Sequence, residues 1–241
     1  MTDPVTRIAR AYPDRVEVRG RDLTGDLMGR LTFTEYLHLL LTGQEPTEDQ
    51  RFFLDLLLVA IAEHGLMPTS VAARMTLAAD PGALQAAVAA GILGAGPVVL
   101  GTAEQCAYLL EELRETGRSP GEAAAELRAA GAKIPGFGHP VHKAADPRAT
   151  RILELADERG VSGEHVALAR GVADAVAPLP MNVSMPIAAV MLDLGYDVDT
   201  VKAVPILART AGLLAHLAEE RDAPLGLRLA RAAEDAVEYR P

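Results

Sequence analysis

The sequence predicts an all-α fold, and three observations support this. Segments with apolar residues at helical spacing follow one another along the 241 residues, and several begin at residues that cap helices. The plausible strand signal is short, around RVEVRG at 15–20. Aromatic residues make up 4% of the chain and Trp is absent, so the expected core consists of Ala, Leu and Val, whose small side chains let helices approach closely.

The predicted helices have recognisable ends. TEYLHLLLTG (34–43) carries apolar residues on one face and can end at Gly43 in the left-handed conformation. The next segment, 47–65, has Thr47 as its expected N-cap, a glutamine three residues later, and Gly65 as its expected stop. Further helices are predicted at 68–79, 82–94, 102–116, 120–130, 147–159, 163–176, 185–194, 198–217 and 225–237. The expected caps among them are Ser119 before Pro120, Asp146 before Pro147, and Asp197 or Asp199.

The composition argues against several classes of partner. A formal net charge of −10 disfavours nucleic acid and anionic membranes, although it allows a local basic pocket for phosphates. The uncharged run at 81–103 is rich in Ala and Gly and is broken by Pro97, which favours a buried helix over a membrane span. A single cysteine, Cys106, and no basic, apolar leader predict a cytoplasmic protein without disulfides.

The densest group of chemically capable residues is KIPGFGHPVHKAADPRA at 133–149. Gly136 and Gly138 bracket Phe137 and allow a tight turn just before His139. Backbone amides in such a turn can contact a ligand directly.

Four side chains after this turn extend its chemistry. His139 and His142 can donate hydrogen bonds or transfer protons near neutral pH. Lys143 offers a point charge for a phosphate, and Arg148 a planar fork for a carboxylate. The alternative is a surface loop with a capping histidine.

The other histidines give weaker signals. His64 ends a predicted helix, where a capping role at the negative end of the helix dipole is as plausible as a functional one. His38 and His216 lie in apolar helical faces and are expected to be packed or partly exposed rather than ligands, whereas His165 is expected to be solvated. No histidine pair has metal-ligand spacing supported by Cys, Asp or Glu, so no metal site is predicted.

The motif GFGHPVHKAADPRA resembles the signature of the citrate synthase superfamily, which runs Gly-(Phe/Tyr/Ile)-Gly-His-x-Val, a basic residue, then Asp-Pro-Arg. Three further segments resemble family elements in the same order: AEHG, PMNVSMPIAAVMLDLG and LARTAGLLAHLAEE. The resemblance extends from about residue 25 to the C-terminus. In length the chain is nearer to citryl-CoA lyases and to the lyase module of ATP-citrate lyase than to full citrate synthases.

The resemblance implies an all-α, citrate synthase-like fold in which two helical domains close over a cleft. The large domain would comprise residues 1–100 and 206–241, and the small domain residues 101–205 with the substrate loop 133–149. It also implies a homodimer.

The resemblance further implies roles for individual residues. His64 and His139 would bind a hydroxy-tricarboxylate, with His139 polarising the oxygen of the reacting carbon. The carboxylates would be held by a second group of residues: Arg148, Arg209, Asn182 and, across the dimer, Arg228. The coenzyme A moiety would lie along Gly136, Phe137, Gly138 and Lys143.

Two departures from the family pattern bear on mechanism. The family's catalytic aspartate falls on Ser184, whose hydroxyl cannot act unaided as a base near neutral pH. His142 and Glu104 are the candidate replacements, and the enzyme hypothesis predicts that one of them points into the cleft. The histidine of the family's His-Gly-Gly-Ala-Asn element is missing near Val99, which favours a lyase over a synthase.

The predicted function is therefore citryl-CoA lyase-like cleavage of a 3-hydroxy-3-carboxyacyl-CoA to acetyl-CoA and a 2-oxo acid. Coenzyme A would enter as a thioester substrate or leave as a product, with no permanently bound cofactor. Two alternatives stay open: a non-catalytic protein that binds CoA esters or polycarboxylates, and a condensing citrate synthase-type enzyme.

Overall fold

The computed structural model describes residues 4–139 and 141–240, and these residues are mainly helical. They form two compact units, one up to Leu56 and one from Leu57 onwards. The predicted all-α class is confirmed. The division into a large domain of 1–100 with 206–241 and a small domain of 101–205 stays a prediction.

The first unit contains a small antiparallel sheet of three strands, with β2 in the middle. The strands are β1 (Ala9–Ala11), β2 (Val16–Val18) and β3 (Arg21–Asp22). The sequence predicted β2, whose Val-Glu-Val alternates apolar and polar residues, but β1 (Ala-Arg-Ala) and β3 (Arg-Asp) lack the β-branched residues that identify a strand. Val18, Leu27 and Leu39 are buried together and form the core of this unit.

The N-caps predicted for the helices are confirmed. Thr47 and Gln50 exchange hydrogen bonds at the start of α2 (Glu48–Ala62), and Ser119 forms a capping box with Glu122. Asp197, rather than Asp199, accepts a hydrogen bond from the Thr200 amide. Each cap satisfies amide groups that have no partner within the helix.

Two helix ends show how local chemistry sets a boundary. Helix α1 (Phe33–Thr42) ends at Gly43 with φ of 80°, as predicted. Helix α2 ends at Ala62, earlier than the predicted stop at Gly65. The residues that follow, including His64, therefore lie in a loop rather than in the last helical turn.

The second unit is built of nine described helices beyond α2. They are α3 (Pro68–Ala79), α4 (Leu84–Leu93), α5 (Thr102–Thr116), α6 (Pro120–Ala129), α7 (Pro147–Glu158), α8 (Glu164–Val176), α9 (Ser184–Asp193), α10 (Val198–Asp222) and α11 (Gly226–Asp235). Helix α9 is central, because residues 185–192 are all buried and it packs against α5, α7, α8 and α10.

Helix α10 extends five residues beyond its predicted end, to Asp222. By length and composition it is the described helix that would qualify as a membrane span. Core helices meet the same criteria, and α10 packs against α3, α4, α5 and α9. In the uncharged run, α4 packs mainly against α3.

Candidate active site

A cavity of about 240 Å³ lies within the second unit. It is lined by the loop after α2, the loop before α5, the glycine turn before α7, the start of α9 and the middle of α10. Its polar lining residues are His64, Thr102, His139, Arg148, Asn182, Ser184 and Arg209. All of them except Thr102 were predicted as site residues, and the fold brings them together from distant parts of the sequence.

The glycine turn is fixed by hydrogen bonds to the segment that precedes α9. The backbone amide of Asn182 donates to the Gly136 carbonyl (2.8 Å), and the backbone amide of Gly138 donates to the Pro180 carbonyl (2.8 Å). Gly136 and Gly138 have φ of 78° and 80°, which disfavours other residues. A Cβ on Gly136 would also lie 2.7 Å from the Cβ of Met185. The turn therefore holds His139 at a defined place in the cavity wall.

The tautomer of His139 follows from its own loop. Its Nδ1 accepts hydrogen bonds from the backbone amides of Val141 (3.1 Å) and His142 (2.9 Å). Because amides only donate, Nδ1 carries no proton, and the neutral ring holds its proton on Nε2. Burial lowers the pKa of His139, and the neighbouring His142 lowers it further. His139 is therefore a neutral imidazole that offers an Nε2–H donor.

Three histidines cluster beside the cavity. The ring centroids of His64 and His139 are 5.5 Å apart, and those of His139 and His142 are 4.4 Å apart. Their candidate ligand nitrogens lie within 4.8 Å of one another, a spacing that could suit a metal ion. Ligation through Nε2 of His139 would, however, leave both nitrogens of that ring without a proton. The donor chemistry thus speaks against a metal here, and the predicted lack of a metal stays a prediction.

Arg148 is held in place by Asp146, whose carboxylate is buried. The Nε and Nη2 of Arg148 donate to Asp146 at 3.0 and 2.8 Å, and the Val183 amide donates to the same carboxylate at 3.1 Å. Burial alone would raise the pKa of Asp146, but the hydrogen bonds and charge of Arg148 outweigh it and lower the pKa. The sequence predicted Asp146 only as a helix cap and missed this positioning role.

Arg209 presents the opposite situation. Arg209 is 4% exposed, and its Nη2 donates one long hydrogen bond of 3.4 Å to the Ile61 carbonyl. Its Nε and Nη1 are buried and have no hydrogen-bond partner among the described residues. Burial lowers the pKa of Arg209, the charge of Glu63 opposes this, and Arg148 adds to it. An unpaired buried guanidinium is costly unless an anionic ligand supplies the missing acceptors.

Asn182 and Ser184 lie where the turn meets α9. The Asn182 side chain donates from Nδ2 to the Gly138 carbonyl (3.0 Å) and accepts from the Ser184 amide (3.0 Å). Asn182 therefore links the two loops, and its predicted contact with substrate stays a prediction. Ser184 is half-buried in the cavity wall and brings a hydroxyl, not a carboxylate.

The remaining predicted residues lie at or beyond the rim. Lys143 is exposed, and its Nζ donates to the His139 carbonyl at 3.2 Å. Phe137 is half-buried, and its backbone pairs with Met181. Arg228 is exposed on α11 and lines a different groove, so it does not join the cleft within this chain.

The two candidate replacements for the missing carboxylate differ. His142 stacks near His139 but is not itself a lining residue. Glu104 forms an ion pair with Lys202 at 3.0 Å and lines a neighbouring pocket instead. Neither residue lines the cavity, so the expected replacement inside the cleft is not observed, and His142 is only the nearer of the two to the cleft histidines.

The histidines outside the cluster are all packed. His38 is buried in α1, and His216 is largely buried in α10, as predicted. The expectation of a solvated His165 is wrong. Its ring is buried between the carboxylates of Asp193 (2.8 Å) and Glu111 (3.1 Å), which come from other helices.

The helical fold and a cleft lined by imidazoles and guanidinium groups define an all-α protein with a cavity rich in hydrogen-bond donors. The sequence matches the citrate synthase C-terminal domain over residues 5–233, and the chain belongs to the citrate synthase family. The superfamily resemblance predicted from the motifs is thereby confirmed.

Among curated relatives, Citrate synthase 2 of Bacillus subtilis is 30% identical over 190 residues, covering 76% of this chain and 50% of the relative. Putative citrate synthase 2 of Mycobacterium tuberculosis H37Rv is 34% identical over 181 residues, covering 70% and 47%. The chain thus spans about half the length of the curated relatives it matches.

Solved structures give the same fold. Citryl-CoA lyase from Hydrogenobacter thermophilus superposes with a TM-score of 0.89 at 31% identity, covering 100% of this chain and 95% of that one. ATP citrate lyase from Methanosaeta concilii, in complex with (3S)-citryl-CoA, gives 0.87 at 23% identity and covers 100% and 42%. The predicted citrate synthase-like fold is confirmed.

Proposed function

We propose that the chain is a citryl-CoA lyase-like enzyme that cleaves a 3-hydroxy-3-carboxyacyl-CoA, such as citryl-CoA, to acetyl-CoA and a 2-oxo acid, such as oxaloacetate. One observation carries the proposal. A neutral His139 and the buried, unpaired Arg209 face the same cavity, beside an Arg148 that is held in place. The likeness to a citryl-CoA lyase over nearly the whole of both chains supports the cleavage direction.

The two arginines would hold the carboxylates of the substrate. The free Nε and Nη1 of Arg209 are the donors that a carboxylate fork requires, and binding would supply the acceptors that the fold leaves out. Asp146 engages Nε and Nη2 of Arg148, and Nη1 is the donor that would meet a second carboxylate. A hydroxy-tricarboxylate presents several anionic groups, and these two cations suit it.

His139 would act at the oxygen of the reacting carbon. Cleavage removes the proton of the tertiary hydroxyl, breaks the adjacent C–C bond and leaves its electron pair on the acyl-CoA as an enolate, which then takes up a proton to become the acetyl group. The Nε2–H of His139 can stabilise negative charge as it develops on the hydroxyl oxygen. His64, 5.5 Å away by ring centroid, would share the binding of the same end of the substrate.

The proton transfers need a base other than the family's aspartate, whose position we assign to Ser184. His142 is the candidate, because its ring lies 4.4 Å from His139, whereas Glu104 is tied to Lys202. The apolar wall formed by Val98, Val99 and Leu100, where synthases carry a histidine, favours a lyase. Replacing His142 with Leu should then lower the cleavage rate by about 10²-fold or more.

The coenzyme A moiety would follow the backbone of residues 136–138 towards Lys143, whose exposed ammonium can contact a phosphate. A cytoplasmic location and a homodimer are part of the proposal. For the dimer, α4 consists of uncharged residues yet leaves Leu93 86% exposed, which is the pattern of an apolar helix covered by a second chain.

A specific observation favours the alternative of a non-catalytic binder: Ser184 lines the cavity at the place where the base is expected. Such a protein would keep the arginine anchors and bind CoA esters without turnover. Replacing Ser184 with Asp separates the two functions. If cleavage appears only in this variant, the natural chain is a binder.

The test is a product assay with purified protein. Citryl-CoA is supplied alone in one reaction and oxaloacetate with acetyl-CoA in another, and the thioesters are quantified by chromatography over time. The proposal requires citryl-CoA to disappear with equimolar acetyl-CoA and oxaloacetate, and requires a His139→Asn variant to be inactive. Saturable binding without turnover would establish the binder, and turnover restricted to condensation would establish a synthase.

A further inference from the structure

A chain of hydrogen bonds runs from the buried Arg74 on α3, through α10, to the partly exposed loop that carries His64. The guanidinium of Arg74 is buried and pairs with Glu220 at 2.9 Å. Its Nε and Nη2 lie 3.0 and 2.9 Å from Nδ1 of His216. The other ring nitrogen of His216, Nε2, lies 3.0 Å from Oε1 of Glu63, the residue before His64. None of these contacts was predicted from the sequence.

The direction of these hydrogen bonds is fixed by chemistry. A guanidinium only donates, so Nδ1 of His216 accepts from Arg74 and the ring proton lies on Nε2. That proton is donated to Glu63. Burial would raise the pKa of Glu63, but the hydrogen bonds from His216 and from the loop amides outweigh it, and the pKa is lowered. Glu63 is therefore an ionised carboxylate at neutral pH.

This carboxylate fixes the backbone of the His64 loop. Oε1 of Glu63 accepts from the amides of His64 and Gly65, both at 2.7 Å, in addition to His216. The loop begins directly after α2 ends at Ala62, so no helical hydrogen bond replaces these contacts. Gly212 of α10 lies against the Ala62 carbonyl, so closely that a side chain there would collide with it.

We infer that His216 and Glu63 are positioning residues that hold the His64 ring at the cleft. The identity of the ligand rests on the proposed function, but the geometry does not. Neither residue lines the cavity, so each would act through the His64 backbone. Misplacing a catalytic group by about 1 Å can lower the rate on the order of 10²-fold, so we expect losses of up to this size when His64 is no longer positioned.

A double-mutant cycle tests the inference. Glu63→Ala should lower kcat/KM for citryl-CoA cleavage on the order of 10- to 100-fold. In a His64→Gln background, where no ring is left to position, the same change should cost less than about twofold. Equal losses in both backgrounds would overturn the inference, because a general structural effect adds to the loss of His64 instead of disappearing with it.

Matched control variants separate loss of positioning from the general effect of losing a partly exposed carboxylate. The side chain of Glu112 is 46% exposed, as is that of Glu63, and it pairs with Arg118 on a remote surface, so Glu112→Ala should leave kcat/KM unchanged. His216→Gln can still accept from Arg74 and donate to Glu63, whereas His216→Leu can do neither. We expect the Gln variant to retain activity and the Leu variant to match Glu63→Ala. A Gln variant as defective as the Leu variant would contradict the inference.

A spectroscopic readout keeps this inference separate from the proposed function. The imidazole nitrogen signals of His64 are identified by NMR from their loss in His64→Gln. Glu63→Ala should shift them and Glu112→Ala should not, in a protein with or without lyase activity. Unchanged His64 signals in Glu63→Ala would reject the positioning role, while a failed citryl-CoA assay would reject only the function.

Discussion

Arg148 and Arg209 line the same cavity, yet their surroundings are opposite. Arg148 is half-buried and engages the buried Asp146 through Nε and Nη2. Arg209 is more deeply buried and has two nitrogens without a partner among the described residues. The protein neutralises and aligns one guanidinium, whereas Nε and Nη1 of the other have no hydrogen-bond acceptor among the described residues. Under the proposed function, this contrast makes Arg209 the residue at which a ligand carboxylate would contribute most.

Replacing Arg209 tests most directly whether the two arginines differ in this way. Arg209→Met should reduce kcat/KM by about 10²–10³-fold, because it removes a desolvated cation that pairs with substrate. The ligand-free protein should become more stable by about 1–3 kcal/mol, because a buried group without hydrogen-bond partners is removed. Kinetics and urea unfolding measure the two effects. Arg231→Met, on the exposed face of α11, is the control and should change neither. A less stable Arg209→Met protein would contradict the comparison.

Asp146→Ala tests the role of the buried partner of Arg148. Unlike Arg209→Met, it should make the protein less stable. Loss of the buried partner of Arg148 should lower the free energy of unfolding by about 3–5 kcal/mol. It should also lower kcat/KM about 10- to 100-fold, because Arg148 loses its alignment. Asp197→Ala removes an exposed N-cap that has no arginine partner among the described residues, and it should cost about 1 kcal/mol with unchanged kinetics. If Asp146→Ala and Asp197→Ala lost the same free energy of unfolding, Asp146 would act only as a helix cap.

The smallest expected effect concerns pH and His139. Its pKa in the folded protein is lowered from the ordinary value of 6.5, chiefly by burial. Above pH 6.5 the ring is neutral in both states, so the folded protein has its full stability. As the pH falls below 6.5 the unfolded chain binds a proton first, so stability decreases until the folded pKa is reached. Unfolding at pH 7.5 and 5.5 should therefore differ less for His139→Gln than for the natural chain, and an unchanged difference would contradict the lowered pKa.

Local features of the site could be predicted from the sequence. Gly136 and Gly138 were predicted in a tight turn because glycine adopts positive φ at little cost, and both have it. Arg148 was placed in the first turn of a helix capped by Asp146, and the cap and helix are observed. Signals of this kind lie within a few residues of one another, so they survive without knowledge of the packing.

Long-range partners could not be predicted in the same way. Arg74 and Glu220 are 146 positions apart, and no periodicity links them. His165 was expected to be solvated, because its partner carboxylates lie on α5 and α9 and become neighbours only when the helices pack. The early end of α2 has the same origin, since Glu63 accepts the next two amides with a carboxylate that His216 fixes from α10.

One measurement tests most directly the proposal that the unpaired guanidinium of Arg209 binds a ligand carboxylate. Citrate is added to the natural chain and to Arg209→Met, and the midpoint of thermal unfolding is recorded across a concentration series. A ligand that binds only the folded state stabilises it and so raises this midpoint. At a ligand concentration of a hundred times the dissociation constant, the stabilisation is about 2.7 kcal/mol. Citrate should raise the midpoint of the natural chain and leave that of Arg209→Met unchanged. Equal shifts in the two proteins would show that the unpaired guanidinium does not bind the carboxylate.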